Sequence, residues 1–219
     1  MDGATMNIPT PGRLWYLLRT RWREGRSLRR LAAAGLARGD IAIDCGANVG
    51  EITARMRAAG AEVYAFEPNP QAYAALQQRF AGDPGVHCLQ KAVDDQPGTV
   101  KLFMHQRAAE NPLMWSVGSS LVGTKSNVSA DSFVEVEAVD LAAFIAALPQ
   151  PVKVLKIDVE GVECRLLKRL FQTEAISRVE HVFVETHETR MPEMRGELDW
   201  VRAEIERRGL GRKVDLDWV

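Results

Sequence analysis

"IAIDCGANVG", residues 41–50, runs five strand-like residues into an acid-bearing turn and then into Gly46-Ala47-Asn48-Val49-Gly50. Behind it, "VGEITARM" places Val49, Ile52 and Met56 at helical spacing until Gly60 stops the turn. Strand, glycine loop and helix make one β-α unit, and the unit returns. "AEVYAFE" (61–67) reads as a second strand, and "NPQAYAALQQRF" (69–80) as a helix capped by Asn69 with Pro70 in its first position. "VHCLQKAV" (86–93) reads as a third strand. The period then changes: "TVKLFMH" (99–105) and "FVEVEAV" (133–139) alternate apolar and polar residues, as half-exposed antiparallel strands do. A connection of roughly 27 residues joins them, beyond the length at which an idle loop is common, so a lid is expected there. "DLAAFIAAL", "VKVLKID", "ECRLLKRLF", "VEHVFVE" and "LDWVRAEIERR" then complete an alternating series. The sum is a doubly wound, Rossmann-like α/β sheet with a β-hairpin and lid inserted between its third and fourth strands. A helical N-terminal extension (1–39) precedes the main domain (40–219).

Composition narrows the class. With 219 residues, 46% of them hydrophobic, the chain can bury one substantial core. Its formal charge of -1 suggests no polyanion partner, although Arg13, Arg19, Arg21, Arg23, Arg26, Arg29, Arg30 and Arg38 make the first forty residues basic. No apolar run approaches the roughly 20 residues that span a bilayer, and the N-terminus lacks a signal peptide's apolar centre, so a cytoplasmic location is expected. Cys45, Cys88 and Cys164 are scattered without zinc or redox spacing and read as reduced core thiols.

In a sheet of this kind, ligands sit outside the carboxyl ends of the strands. Those ends are acidic here: Asp44, Glu67, Asp158 and Glu185 close the first, second, fourth and fifth strands. A single acid could merely favour the dipole of the next helix, but four successive ones point to a site. The first loop lacks the middle glycine of G-x-G-x-x-G, and Asp44 would oppose a phosphate while attracting an amino group or a sulfonium. Glu67 ends the second strand, where such folds place a carboxylate to accept from ribose hydroxyls. An amino-acid cation joined to a ribose describes S-adenosylmethionine.

"IDCGANVGEIT", "VYAFEPNP", "LKIDVEGVECRLLKRL" and "VFVETHE" resemble the successive motifs of FkbM-type S-adenosylmethionine-dependent methyltransferases, over about residues 40–188, with "KIDVEG" the most specific segment. Members of that family are associated with O-methylation of hydroxyls on sugars, cell-surface glycans and polyketides. The resemblance implies a Rossmann-like methyltransferase fold with cofactor contacts at Asp44, Gly46, Ala47, Asn48, Gly50, Glu67 and Pro68. By the same analogy Asn69 and Lys91-Ala92-Val93 lie near the adenine. The final "VDLDWV" predicts one strand where the family's fold usually carries an antiparallel pair.

The chemistry rests on the fourth and fifth strand ends. Lys156 stands between Leu155 and Ile157 in a buried-type strand and needs an acidic partner, for which Asp158, Glu160 and Glu185 are nearest in sequence. That network either serves methyl transfer or only fixes the strand-to-helix turn. Transfer from a sulfonium to oxygen is an in-line displacement that also requires a base for a poorly acidic hydroxyl. His187, in "ETHE", has the intrinsic pKa for that role or for a substrate hydrogen bond, and Asp158 is the alternative base. The spacing assigns no metal site, but a divalent ion held by Asp158, Glu185 and His187 is a third possibility.

The lid offers Met114 and Trp115 to cover a cofactor or stack on a sugar, and Ser119 and Ser120 to donate to hydroxyls; a loop folded on its own apolar side chains is the alternative. The segment "RLWYLLRTRWREGRSLRRLAAAGL" (13–36) predicts a helix with Leu14, Leu17, Leu18, Trp22 and Leu28 for packing, its arginines either solvated or facing anionic lipid or a diphosphate-linked glycan. A dehydrogenase is disfavoured by the missing glycine and the lack of a Tyr-x-x-x-Lys pair. An RNA methyltransferase is kept open only by the basic N-terminus, and nucleic acid is not the expected partner. A non-catalytic S-adenosylmethionine-binding scaffold is the remaining alternative.

Overall fold

The computed structural model describes residues 25–116, 118–188 and 191–218. The earlier part of the basic segment, including Leu14, Leu17, Leu18 and Trp22, lies outside the described residues. The described residues begin with the helical segment 25–33 (α1) and pass to β1 (Ile41–Cys45), α2 (Glu51–Ala58), β2 (Glu62–Phe66), α3 (Pro70–Arg79) and β3 (Val86–Leu89). Then come β4 (Ala92–Asp94), β5 (Gly98–His105), β6 (Val128–Asp140), α4 (Leu141–Ala147), β7 (Val152–Ile157) and α5 (Glu163–Gln172). The chain closes with β8 (Val179–Val184), α6 (Arg195–Arg207) and β9 (Val214–Asp215).

The main sheet has the order β3-β2-β1-β7-β8-β9, and every neighbouring pair in it is parallel. Parallel strands covered on both faces read as continuous apolar runs, which is why all five residues of β1 are buried. The pleat sends Ile41, Ile43 and Cys45 to one face, where Leu141, Ile145, Leu167, Leu170 and Val201 of α4, α5 and α6 meet them. Ala42 faces the other way, into a cluster with Met56 of α2, Leu31 of α1 and Trp218. Arg26 and Arg30 of α1 pair with Asp217 and Asp215, so these two arginines of the basic segment are engaged with the chain's own acids.

Two expectations are corrected. "VHCLQKAV" is two strands: after Leu89 the chain turns, Lys91 N–H donating to Leu89 O at 2.9 Å, and β4 joins a second sheet of order β4-β6-β5. The polar Gln90-Lys91 pair interrupts the apolar run, and Ala92 beyond it packs with Leu102, Val136 and Ala138 of the hairpin. The second strand of the hairpin begins at Val128, earlier than its alternation suggests, because residues 130–133 are exposed and carry no apolar period. The connection is therefore 106–127. At the C-terminus a two-residue strand runs parallel to β8, and Glu185 and Asp217 form one antiparallel bridge beyond it. Among the described residues no helix is long and apolar enough to cross a membrane.

Candidate active site

The chain lays β2 and β3 to one side of β1 and β7 and β8 to the other, so the order reverses between β1 and β7. Loops leaving that point diverge and open a cleft at the carboxyl edge. Gly46 and Asn48 reach its wall from β1, Glu67 and Pro68 from β2, Ala92 and Val93 from β4, and Asp158 from β7. Lys91 also lines it, its ammonium 2.6 Å from Glu137. The other candidates, Asp44, Ala47, Gly50, Asn69, Lys156, Glu185 and His187, lie around this wall without forming it.

Asp44 is fully buried beneath the loop. Its Oδ2 accepts from Thr53 Oγ1 at 2.7 Å, and its Oδ1 lies 3.3 Å from Lys156 Nζ. Lys156 donates to the carbonyls of Gly46 (2.8 Å) and Cys45 (3.3 Å) and stands 3.4 Å from Asp158. Burial alone would depress the ammonium's pKa, but Asp44 and Asp158 outweigh it and hold the group charged. Asp158 is thus a partner of Lys156, as read from the sequence. Glu160 and Glu185 are not: Glu160 pairs with Lys125, and the second partner is Asp44 on the neighbouring strand. Asp44 acts on the cleft through Lys156 and the loop, not as part of its wall.

Glu67 joins two turns. Its Oε2 accepts from Asn48 N–H at 2.7 Å and its Oε1 from Asn69 N–H at 2.8 Å. Burial raises its pKa to about 7 against those two donors. Asn69 caps α3 through Oδ1, accepting from Gln71 and Ala72, while its Nδ2 donates to Ser119 of the lid at 3.2 Å. Gly46 has φ +76°, and a Cβ there would stand 1.8 Å from the carbonyl oxygen of Asp158. Only glycine lets the β1 and β7 loops touch.

Behind Asp158 lies a nest of acids around His187, which is 3% exposed. His187 Nδ1 is 2.9 Å from Glu163 Oε1, and Nε2 is 3.1 Å from Glu160, 3.8 Å from Asp158 and 3.9 Å from Glu185. Burial would lower the imidazole's pKa, yet the Glu163 hydrogen bond and the charges of Glu163, Glu160 and Asp158 lift it to about 9. Glu185 is pushed up to about 7 by burial and by Asp158. Glu163 also accepts from Gly161 N–H at 3.0 Å, holding a turn in which Glu160 sits at φ +59°. Non-glycine residues in that region are uncommon and gather at functional sites.

The 106–127 connection contributes Ser116, Ser119 and Leu121 to the cleft wall. Trp115 does not cover the cleft: it stacks on His105 at 4.5 Å with Arg107 over its ring, while Met114 is 62% exposed. Ser120 is buried and donates to Glu160 O. Lys125, also buried, donates to Gly118 O at 3.1 Å and to the Glu160 carboxylate. Lys125 and Glu163 were absent from the sequence-based candidates. "GTKSN" reads as ordinary loop, whereas Glu163, an acid in the first turn of α5 directly after "KIDVEG", carries a usable signal.

A parallel sheet that reverses at β1 and β7, with an acid-lined cleft at that point and a hairpin insertion, is consistent with a Rossmann-like methyltransferase. The chain belongs to the FkbM methyltransferase family: the Methyltransferase FkbM domain matches residues 44–210. It is also similar to the hexuronic acid methyltransferase AglP of Haloferax volcanii, 32% identical over 149 residues, which cover 68% of this chain and 56% of that protein. The chain thus spans little more than half the length of that relative.

Proposed function

We propose that this methyltransferase carries the methyl group of S-adenosylmethionine to a hydroxyl oxygen of a sugar or glycan acceptor. One observation carries the reading: Glu67 and Asp158 face the same cleft from either side of the strand reversal. Each Glu67 oxygen takes one backbone N–H and keeps a second accepting position, which suits a pair of ribose hydroxyls. The loop around Gly46 and Asn48 suits the amino-acid end of the cofactor, and Lys91, Ala92 and Val93 its adenine. When bound, the cofactor supplies an electrophilic methyl carbon on a positively charged sulfur.

The bound cofactor would supply that methyl group to the acceptor oxygen in exchange for the hydroxyl proton, and a carboxylate at the cleft would take the proton. Asp158 is at the wall and takes that role. His187, buried behind it, positions Asp158 and balances its charge. A sugar acceptor is supported by the similarity to a protein named as a hexuronic acid methyltransferase; a hexuronic acid carries hydroxyls beside its carboxylate.

Calorimetric titration with S-adenosylhomocysteine and, in parallel, NAD tests the cofactor. Binding of the former alone is expected, and binding of NAD alone would overturn the reading. Transfer of labelled methyl to uronic-acid and neutral sugar acceptors tests the chemistry. An alkali-stable methyl ether is expected; an alkali-labile methyl ester would mean that the acceptor oxygen is a carboxylate. His187→Ala is expected to spare cofactor binding and slow transfer.

A further inference from the structure

We propose that Asp158, Glu185 and His187 form a binding site for a divalent cation of the Mg²⁺ or Mn²⁺ type at the back of the cleft. One donor atom from each lies within 4.8 Å of the other two. In an octahedron with bonds of about 2.1 Å, ligand atoms stand about 3 Å apart in cis positions and about 4.2 Å in trans. The 3.8 and 3.9 Å separations from His187 Nε2 to Asp158 and Glu185 exceed the cis spacing by less than about 1 Å, which small side-chain rotations close around an ion.

An acidic cluster alone would not make a site; the imidazole does. His187 Nε2 is buried and aimed into the cluster, where it makes no hydrogen bond and has the Glu160 carboxylate 3.1 Å away. Its other nitrogen is fixed 2.9 Å from Glu163, whose carboxylate accepts the Nδ1 proton and so points Nε2 toward Asp158 and Glu185, where an arriving cation displaces the Nε2 proton. A carboxylate behind a ligating histidine is the usual second layer of a metal centre, setting the tautomer and the ring orientation. Glu163 is itself held by Gly161 N–H and is fully buried, so the ring has a rigid support.

Charge points the same way. Asp158, Glu160, Glu163 and Glu185 converge on this spot, while the described ammonium groups near them are Lys125, bound to Glu160, and Lys156, shared between Asp158 and Asp44. Two carboxylates and one imidazole, with no thiolate among them, suit Mg²⁺ or Mn²⁺ better than a thiophilic ion. Because Asp158 also lines the cleft, an ion here meets an incoming hydroxyl and lowers its pKa. That catalytic use rests on the methyl-transfer reading; the binding of the ion does not.

The test is titration of the whole protein, without cofactor or acceptor, with Mn²⁺ followed by the electron paramagnetic resonance of the free ion, then displacement with Mg²⁺. One saturable site is expected. Glu185→Gln, nearly isosteric, and His187→Ala should each weaken it by at least tenfold, and Glu163→Gln by about tenfold. Thermal melts establish that each variant is folded. The absence of saturable uptake, or uptake unchanged in folded Glu185→Gln and His187→Ala, overturns the site, even where S-adenosylhomocysteine still binds. Uptake by a protein whose methyl transfer is indifferent to chelator overturns the catalytic use alone.

Discussion

Asp44 and Lys156 stand in register on adjacent parallel strands, both buried, with carboxylate and ammonium 3.3 Å apart. Neighbours in register point to the same face, so Asp44, Lys156 and Thr53 of α2 share one side of the sheet. The ammonium reaches on to the carbonyl of Gly46. The pair therefore fastens the floor of the sheet to the loop that forms the cleft. Removing one partner strands the other charge. Lys156→Met is expected to cost about 3–5 kcal/mol, and the double variant Asp44→Leu/Lys156→Met to recover part of that loss. Urea unfolding measures both; a single variant as stable as the parent would remove the pair from this role.

The two glycines of the first loop are not equivalent. At Gly46 an added Cβ meets backbone, the Asp158 carbonyl at 1.8 Å; at Gly50 it meets the side chains of Phe80 and Leu76 at 2.6 and 2.8 Å. Side chains can rotate, whereas the β7 loop would have to move together with Asp158. Both positions have positive φ, so both alanines also carry backbone strain. Gly46→Ala should abolish cofactor binding and Gly50→Ala weaken folding with binding retained, as read by calorimetry beside thermal melts. Equal effects would contradict the geometry.

Glu67 predicts a pH dependence. Its pKa of about 7 in the folded chain lies above the ordinary 4.5. The folded state therefore keeps a proton that the unfolded state has released, and this contribution to stability is present below 4.5 and is lost as pH rises through 7. Ligand binding runs the opposite way, because ribose hydroxyls donate to the ionised carboxylate. Affinity for S-adenosylhomocysteine should improve by about tenfold between pH 6 and pH 8. Glu67→Gln should bind more weakly and show a flat profile; a variant that retains the parent's slope would assign the titration to another group.

The repeating β-α units were legible because each carries its own period and stop signals, as the Asn69-Pro70 cap and Gly60 do. The acids at the strand ends were legible because a parallel sheet gathers those ends at one edge. Pairings across the sheet were not. Lys156 takes Asp44, 112 positions away in sequence, through strand register, which no local window contains. Lys125 was hidden for a related reason: only the tertiary closure of residues 106–127 onto the β7 loop buries its ammonium, and its sequence neighbours are those of any polar turn. The break after Leu89 was equally invisible, since both halves of "VHCLQKAV" have strand composition and differ only in which sheet receives them.

Lys125 ties the 106–127 connection to the β7 loop. Its side chain has no exposure and joins Gly118 O to the Glu160 carboxylate, while Ser120 reaches Glu160 O and Asn69 reaches Ser119. Among the described residues the 106–127 connection is thus held to the β7 loop by a buried ion pair and the Ser120 hydrogen bond, and to the β2 loop by the Asn69 amide. Lys125→Met would remove the buried ion pair to Glu160. Hydrogen exchange across 106–127 should accelerate by at least tenfold, with β1, β7 and β8 unchanged, because their amides belong to the core and not to the lid. Asn69→Ala should accelerate exchange around Ser119 and also fray the start of α3, where its Oδ1 is the cap. If Lys125→Met left lid exchange at the parent's rate, the closure would have to rest on the packing of Leu121 and Val122 against the main core instead.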